Sequence, residues 1–372
     1  MYEYSDQDVE TWMAAAQKLV SEAGELIKAN LGKAPNLEDK GLNAGEGFSS
    51  QVLTETDLAV EKLLRDGLTK QFSDHEFIGE EGEGSQGQIE KFTNNPTWII
   101  DPIDGTMNFV HGNPLVCTSI GLAVNRRIVG GIVNCPVINH MYSAIKGKGA
   151  YLNNTKKLKS SGIKRIKDAM VLLEMPTGAN SDKKEVALSN MSMLMDSAHA
   201  VRCPGPAAAD IAWVGSGSAD AFFHMGIHCW DMAAGVLIAT ESGGAVFHTD
   251  GTEFNLMGRQ IVVAASQELA KEIVSKIKVY NIEPEFVDHC PMWKETNHLT
   301  PVNKYDSFSR CDVFLDKFLQ GEAMDPLLGF KKLGQFLVQV EVTAILHVCL
   351  FVKKNYARLK ATGYKLHYIL KS

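Results

Sequence analysis

The stretch W-I-I-D-P-I-D-G-T, residues Trp98–Thr106, decides how the rest of this chain is understood. It begins as an apolar strand, predicted over Thr97–Ile100, and turns polar at Asp101. Pro102 fixes its own φ and biases Asp101 away from helical geometry, so we expect the strand to end there. Asp101 and Asp104 lie three residues apart across this turn and can face one cation. The backbone carbonyl of Ile103, between them, is a further hard oxygen ligand.

The residues after these aspartates favour an anion. Gly105 lets the chain approach a ligand closely. Thr106 then begins a short helix, and free N–H groups at a helix start favour an anion such as phosphate. Oxygen ligands beside an anion site suit Mg²⁺, which binds through a few carboxylates plus substrate phosphate. The alternative is a D-x-x-D turn that only caps a helix or lies in a solvated loop.

More carboxylates fall at the ends of other elements. Glu80 and Glu81 follow a short strand in F-I-G-E-E-G, and Asp231 opens a helix in C-W-D-M-A-A-G. Carboxylates at strand ends and helix starts often point into one cleft, so their combination favours a metal site over isolated turns.

The surrounding pattern mixes helices and strands in two halves that join near 150–165. Ser5 and Asp8 form a plausible capping box before the first helix. The predicted helices are 6–31, Thr56–Phe72, Trp230–Ser242 and Leu269–Lys278. The predicted strands besides Thr97–Ile100 are Glu76–Gly79, Thr118–Val124, Ile128–Asn134 and Met141–Ile145.

Composition excludes several classes of protein. The 372 residues are 45% apolar and 22% charged with net charge −7, which is unlike a disordered chain, a collagen-like repeat or a basic nucleic-acid binder. The seven cysteines show no C-x-x-C spacing, which argues against a zinc site and fits a reducing compartment. The acidic start lacks an apolar run, so we expect no signal peptide. These observations predict a cytoplasmic protein.

The last segment, 285–372, departs from the preceding pattern. Its periodicity is weak, and 336–371 is first apolar and then basic. The apolar run Phe336–Val352 contains Gln339, Glu341 and His347 and falls just short of a spanning helix, so we do not expect a membrane protein. Clustered lysines beside apolar residues can also bind anionic lipid. A functional extension and a mis-joined coding segment both remain open for this segment.

Two long motifs together resemble the inositol monophosphatase family, lithium-sensitive Mg²⁺-dependent phosphatases. They are W-I-I-D-P-I-D-G-T-x-N-F-V-H and G-I-H-C-W-D-M-A-A-G-x-L-I-x-T-E-S-G-G, and the resemblance covers about residues 5–283. It implies an α/β fold of alternating αβαβα layers, a homodimer, and a role in inositol phosphate metabolism and phosphatidylinositol signalling. The catalytic domain would be 1–284, with subdomains roughly 1–155 and 156–284. Residues 285–372 would be an extension outside the family match.

The resemblance also implies residue roles. Glu80, Asp101 and the Ile103 carbonyl would hold one Mg²⁺, and Asp101, Asp104 and Asp231 a second. Asp57 would orient Thr106, and Glu80 with Thr106 would position the attacking water. The substrate and its phosphate would contact Asp104, Gly105, Thr106, Ala207, His224 and Asp231.

The chain departs from the family pattern mainly around the substrate. His224 stands where the family has an inositol-contacting Glu, Pro206 replaces a usual Thr before Ala207, and Met107 replaces a usual Thr after D-G-T. Gln51 replaces a usual Asp, and the counterpart of a loop Lys is uncertain, with Lys40 the candidate. The family resemblance nevertheless predicts hydrolysis of myo-inositol monophosphates. Another phosphomonoester (a sugar phosphate, a 3′-nucleotide or histidinol phosphate) and a non-catalytic binding protein are the alternatives.

Overall fold

Helices and strands were assigned in a computed structural model. It describes residues 1–33, 38–39, 52–81, 92–176, 179–280 and 282. The extension 285–372, Gln51 and Lys40 lie outside the described residues. No helix in the described part of the chain combines the length and apolarity needed to cross a membrane.

Two amphipathic helices cover one face of the first sheet. Helix α1 is Asp6–Asn30, and its capping box pairs Ser5 with Asp8 as predicted. A two-stranded antiparallel pair, β1 (Glu38–Asp39) and β2 (Val52–Leu53), precedes helix α2, which is Glu55–Gln71. The apolar faces of α1 and α2 form one core with the first sheet.

The first sheet has seven strands in the order of the chain. Its first two strands are parallel and the rest form an antiparallel meander. The strands are β3 (Glu76–Gly79), β4 (Thr97–Asp104), β5 (Cys117–Val124), β6 (Arg127–Cys135), β7 (His140–Ile145), β8 (Gly149–Leu152) and β9 (Lys156–Lys157). The short helix α3, Thr106–Val110, follows β4.

Strand β4 differs from the sequence expectation, because it continues beyond Asp101 to Asp104. Its pairing with β5 shifts register between Asp101 and Asp104, so Pro102 lies where the ladder is already interrupted. A proline without an N–H is tolerated at such an irregularity. The bulge leaves both aspartates at the end of a fully buried strand.

The second sheet has five strands in the order β11-β10-β12-β14-β13, both parallel and antiparallel. A 3₁₀ turn at Ile166–Asp168 precedes it. Its strands are β10 (Met170–Leu173), β11 (Ala200–Arg202), β12 (Ala221–Met225), β13 (Ala245–Phe247) and β14 (Gln260–Ala264), and the helices are α4 (Ser181–Ser197), α5 (Ala207–Ser216), α6 (Cys229–Glu241) and α7 (Gln267–Lys276).

Separate apolar clusters show that the elements alternate in five layers. Helices α5 and α6 contribute to one core with the first sheet and another with the second. Helices α4 and α7 cover the outer face of the second sheet. The predicted αβαβα layering is therefore confirmed. The first sheet ends at Lys157 and the strands of the second begin at Met170, close to the proposed division near residue 155. That division stays a prediction, as does the domain boundary at 284.

Candidate active site

Three aspartates from separate elements meet at one point. Carboxylate oxygens of Asp101, Asp104 and Asp231 all lie within 4.8 Å of one another. Asp101 and Asp104 end β4, and Asp231 lies in the first turn of α6. In the sequence, Asp231 lies 130 positions after Asp101. The packing of α6 on the first sheet brings the two residues together.

Backbone groups at two helix starts orient these carboxylates. Asp104 Oδ2 accepts a 2.6 Å hydrogen bond from the Ala208 N–H, at the start of α5. Asp231 Oδ2 accepts a 2.8 Å bond from the N–H of His228, the residue before α6. The positive ends of α5 and α6 thus stabilise negative charge at the site.

Ionisation of all three carboxyls is energetically unfavourable without a cation. Burial raises the pKa of Asp101 and of Asp104 well above the usual value, and neighbouring carboxylates, including Glu80, raise them further. Burial raises the pKa of Asp231 to about 6, although the charge of His228 opposes the shift. Like charges in a shared buried site disfavour ionisation unless a cation compensates them.

Asp101 provides the most direct test of whether the cluster fits a cation. Its Oδ1 is buried and has no hydrogen-bond partner among the described residues. An unpaired buried carboxylate oxygen costs free energy that a hard cation would recover. With the two neighbouring aspartates, it gives the all-oxygen donor set that Mg²⁺ prefers, so these residues fit the predicted metal.

The other predicted metal ligands lie beside this cluster. Glu80 follows β3, and its backbone N–H donates to the Ile100 carbonyl at 3.1 Å. Its negative charge contributes to the raised pKa values of Asp101, Asp104 and Asp231, so it belongs to the same electrostatic site. The Ile103 carbonyl accepts a 3.1 Å hydrogen bond from the Thr106 hydroxyl, and its second lone pair leaves capacity for a cation.

Gly105, which is predicted to bind the phosphate, directly follows Asp104 in the chain. Gly105 has φ +87°, and a Cβ there would lie 3.1 Å from the Leu115 carbonyl oxygen, so the turn into α3 requires glycine. Asp57 is fully buried and caps α2, where it accepts from the Thr54 hydroxyl and N–H. Its predicted role in orienting Thr106 stays a prediction.

The two predicted substrate contacts lie on neighbouring elements. Ala207 is buried in the first turn of α5, directly before the Ala208 amide that binds Asp104. His224 lies on β12, and its Nδ1 is buried without a hydrogen-bond partner among the described residues.

Sequence reasoning missed two acidic residues and one thiol near Asp104. Glu174 follows β10, and Asp210 is fully buried in α5. Burial raises the pKa of both carboxyls, and the Glu174 charge raises those of Asp210 and Asp104. Cys117 Sγ lies 3.6 Å from Asp104 Oδ2. Glu174 sits at a strand end, the criterion that found Glu80, and could have been found by it.

Known proteins resemble this chain over nearly the whole described region. The family model described as the inositol monophosphatase family matches residues 8–281. Inositol monophosphatase 1 of Xenopus laevis is 41% identical over 63% of this chain and 82% of its own length. Human inositol monophosphatase 1 is 38% identical over 74% of this chain and 97% of its own. A solved structure of a Thermotoga maritima IMPase superposes with a TM-score of 0.62 at 28% identity, covering 73% of this chain and 96% of that one.

Proposed function

Because this chain belongs to the inositol monophosphatase family, we propose that it hydrolyses myo-inositol monophosphates to myo-inositol and phosphate. It is a phosphoric monoester hydrolase, the class of enzyme to which relatives named inositol monophosphatase belong. The observation that carries the proposal is the buried cluster of Asp101, Asp104 and Asp231, with one carboxylate oxygen unpaired. A non-catalytic relative would gain nothing from such a repulsive cluster. The defining test is phosphate release from inositol 1-phosphate by the purified full chain, with Mg²⁺ and with a chelator.

The proposed cofactor is Mg²⁺, held at two positions. Glu80, Asp101 and the Ile103 carbonyl would hold one ion, and Asp101, Asp104 and Asp231 the other. Bound Mg²⁺ supplies charge neutralisation for the phosphate and lowers the pKa of water. The protein residues then have orienting roles. The Ala208 and His228 amides fix two of the carboxylates, and Gly105 allows the chain to approach the phosphate closely.

Glu80 and Thr106 are the proposed residues for positioning the attacking water. The Thr106 hydroxyl already lies beside Ile103, donating to its carbonyl, so it is held at the cluster by local structure. Attack by water forms a new phosphorus–oxygen bond while the phosphorus–oxygen bond to the alcohol breaks. The proton lost by the attacking water is balanced by the proton that the leaving alcohol oxygen takes up from solvent. No covalent phosphoenzyme is part of this proposal.

Thr106→Ala should lower kcat more than it raises KM, by about a hundredfold in kcat, because the hydroxyl orients water in the transition state. Steady-state kinetics with inositol 1-phosphate provide the measurement, and Thr11→Ala, an exposed threonine on α1, is the control. A change confined to KM would limit Thr106 to substrate binding. A phosphoenzyme trapped by rapid quench would exclude direct attack by water.

Lithium sensitivity belongs to the same proposal. If Asp101, Asp104 and Asp231 hold the second Mg²⁺, Li⁺ should compete there and lower the rate at fixed Mg²⁺ and saturating substrate. Titration with LiCl measures the effect. If the rate is unchanged up to about 50 mM LiCl, which is well above the dissociation constants usual for protein cation sites, this assignment is contradicted.

His224 should weaken discrimination among sugar phosphates. A neutral imidazole offers one donor and one acceptor, whereas a carboxylate accepts charge-assisted bonds from sugar hydroxyls, worth about 1.5–3 kcal/mol each. His224→Glu should therefore raise kcat/KM for inositol 1-phosphate relative to a generic phosphomonoester by about tenfold. His199→Glu is the control outside the predicted site. An unchanged ratio would show that residue 224 does not contact the substrate.

The remaining expectations are a homodimer, a cytoplasmic location and no binding of nucleic acid. They rest on the family resemblance, the cysteine spacing and the negative net charge. We propose them together with the phosphomonoester substrate, and sedimentation of the full chain would test the dimer.

A further inference from the structure

Glu61 is a buried carboxylate outside the motifs described above. It lies on α2, one turn after Asp57, and only 3% of it is exposed. A glutamate is seldom buried this deeply unless its oxygens have partners. Its neighbour Lys62 forms an ordinary surface pair with Asp66, in which both side chains are largely exposed.

Both carboxylate oxygens of Glu61 have a partner. Oε1 lies 2.6 Å from Nε of Arg65, one turn further along α2. Oε2 accepts a 2.9 Å hydrogen bond from the backbone N–H of Glu81, just beyond β3. The guanidinium of Arg65 also lies over the ring of Phe77 on β3, with its carbon 5.4 Å from the ring centroid. The pair of Glu61 and Arg65 therefore joins α2 to the end of β3.

The close approach of this pair to the strand requires glycine at position 79, the last residue of β3. A Cβ on Gly79 would overlap Oε1 of Glu61 and lie 2.8 Å from Nη2 of Arg65. A side chain at this position would therefore push the pair off the strand. Glu61, Arg65 and Gly79 form one packed unit directly before Glu80.

The peptide groups on both sides of Glu80 are held by hydrogen bonds. The peptide before it donates its N–H to the Ile100 carbonyl at 3.1 Å, which continues the pairing of β3 with β4. The peptide after it donates the Glu81 N–H to Glu61. Because φ and ψ are the rotations between a residue's two peptide planes, fixing both planes fixes the direction in which the Glu80 side chain leaves the backbone. The first bond joins two backbones, whereas the second depends on the Glu61 side chain.

Glu80 lies within electrostatic reach of both Glu61 and the aspartate cluster. Burial raises the pKa of Glu61, Arg65 opposes this shift, and the charge of Glu80 adds to it. The charge of Glu80 also adds to the raised pKa values of Asp101 and Asp231. A carboxylate that is already aimed at a cation binds it without a further cost in conformational entropy. The direction of the Glu80 side chain should therefore influence how tightly the cluster binds a cation.

We propose that Glu61, held in place by Arg65, positions Glu80 for the cation and for the attacking water. This role rests on the proposed phosphatase function. Glu61 acts through the backbone of residues 80 and 81, so it is a positioning residue and not a ligand. Its loss should weaken the cation position that Glu80 shares with Asp101 and should slow the chemical step. Substrate binding should change little, because Gly105 and Thr106 are the proposed phosphate contacts and lie on another element.

Two matched variants on α2 test this role. Glu61→Leu removes both acceptor oxygens at the buried pair, and Asp66→Leu makes the corresponding change at the exposed pair. We would measure phosphate release from inositol 1-phosphate by the full chain across a Mg²⁺ titration. Glu61→Leu should raise the Mg²⁺ concentration for half-maximal rate by at least about tenfold and lower kcat at saturating Mg²⁺, while KM changes by less than about twofold. Asp66→Leu should behave as the wild type does.

A conservative variant separates positioning from stability. Glutamine keeps one acceptor oxygen for the Glu81 N–H, so Glu61→Gln should recover most of the Mg²⁺ affinity that Glu61→Leu loses. Urea unfolding of the metal-free proteins measures how far each substitution destabilises the fold. If Glu61→Leu is less stable but keeps the wild-type kcat and Mg²⁺ dependence, the pair only joins helix to strand and the proposal is overturned.

A second pair of variants applies if Glu61→Leu does not fold. Arg65→Gln, at a side chain that is 21% exposed, is then compared with Lys62→Gln at the surface pair. Arg65→Gln should require more Mg²⁺ for half-maximal rate than Lys62→Gln. Equal Mg²⁺ dependence in these two variants would overturn the proposal.

Two measurements without substrate keep this inference separate from the enzyme assignment. Hydrogen exchange of the Glu81 amide should be faster in Glu61→Leu than in the wild type and in Asp66→Leu, because its acceptor is gone. Calorimetry with Mg²⁺ alone should show the same loss of affinity in Glu61→Leu. If no monophosphate is hydrolysed, the proposed function fails, and calorimetry still decides whether Glu61 supports the cation position. Equal Mg²⁺ affinities in the wild type and Glu61→Leu would reject that role.

Discussion

Asp101→Asn should reduce Mg²⁺-dependent phosphate release by at least about a thousandfold while the protein stays folded. Asp101 is the carboxylate shared by both proposed cation positions, and its Oδ1 is the buried oxygen without a partner. An amide cannot neutralise a cation, so both positions are weakened at once. Initial rates with inositol 1-phosphate across a Mg²⁺ titration provide the measurement.

The same variant should be as stable as the wild type, or more stable, when no metal is present. Removing one charge relieves repulsion from Asp104, Asp231 and Glu80. It should also lose the rise in melting temperature that Mg²⁺ gives the wild type, because binding to the folded state alone stabilises it. Asp196→Asn, at an exposed position on α4, is the control. Near-normal Mg²⁺-dependent activity in Asp101→Asn would reject the site.

The metal-free protein should lose stability as pH rises from about 4 to 6. An unfolded aspartate titrates near pH 3.9, whereas the pKa of Asp231 in the folded protein is about 6. In this window the folded state binds more protons than the unfolded state, so stability falls with increasing pH. A difference of two pKa units corresponds to about 3 kcal/mol, and the raised pKa values of Asp101 and Asp104 extend the loss to higher pH.

Urea unfolding at pH 4.5, 6 and 7.5 would measure this dependence. Mg²⁺ should stabilise the protein far more at pH 7.5 than at pH 4.5, because the cation competes with protons for the carboxylates. Asp231→Asn should flatten the metal-free profile, and Asp168→Asn, an exposed aspartate, should not. A profile of Asp231→Asn that matches the wild type would show that the carboxylate cluster does not control stability.

Much of the site was determined locally by the sequence. Pro102 and Gly105 fix the backbone around Asp101 and Asp104, and this geometry depends on φ preferences that neighbours along the chain already set. Capping boxes act over three residues, which is why the Ser5–Asp8 box and the start of α1 were predicted correctly. The strand meander was predicted because alternation and turn residues are local signals as well.

The end of β4 was predicted wrongly for a reason that lies outside local sequence. Pro102 normally excludes a residue from a paired strand, but the register shift opposite β5 removes the need for its N–H. Whether a strand tolerates proline depends on the neighbouring strand, and a single strand cannot reveal that.

Only the tertiary structure brought the functional groups together. Asp104 meets the start of α5, and Asp231 meets β4, because α5 and α6 pack between two sheets. Glu174 and Asp210 carry no motif, and only the packed structure shows that the charge of Glu174 acts on Asp210 and Asp104. Charge and burial act through space over a few ångströms. The sequence therefore determined which residues could bind a cation and a phosphate, while the fold determined which of them share one site.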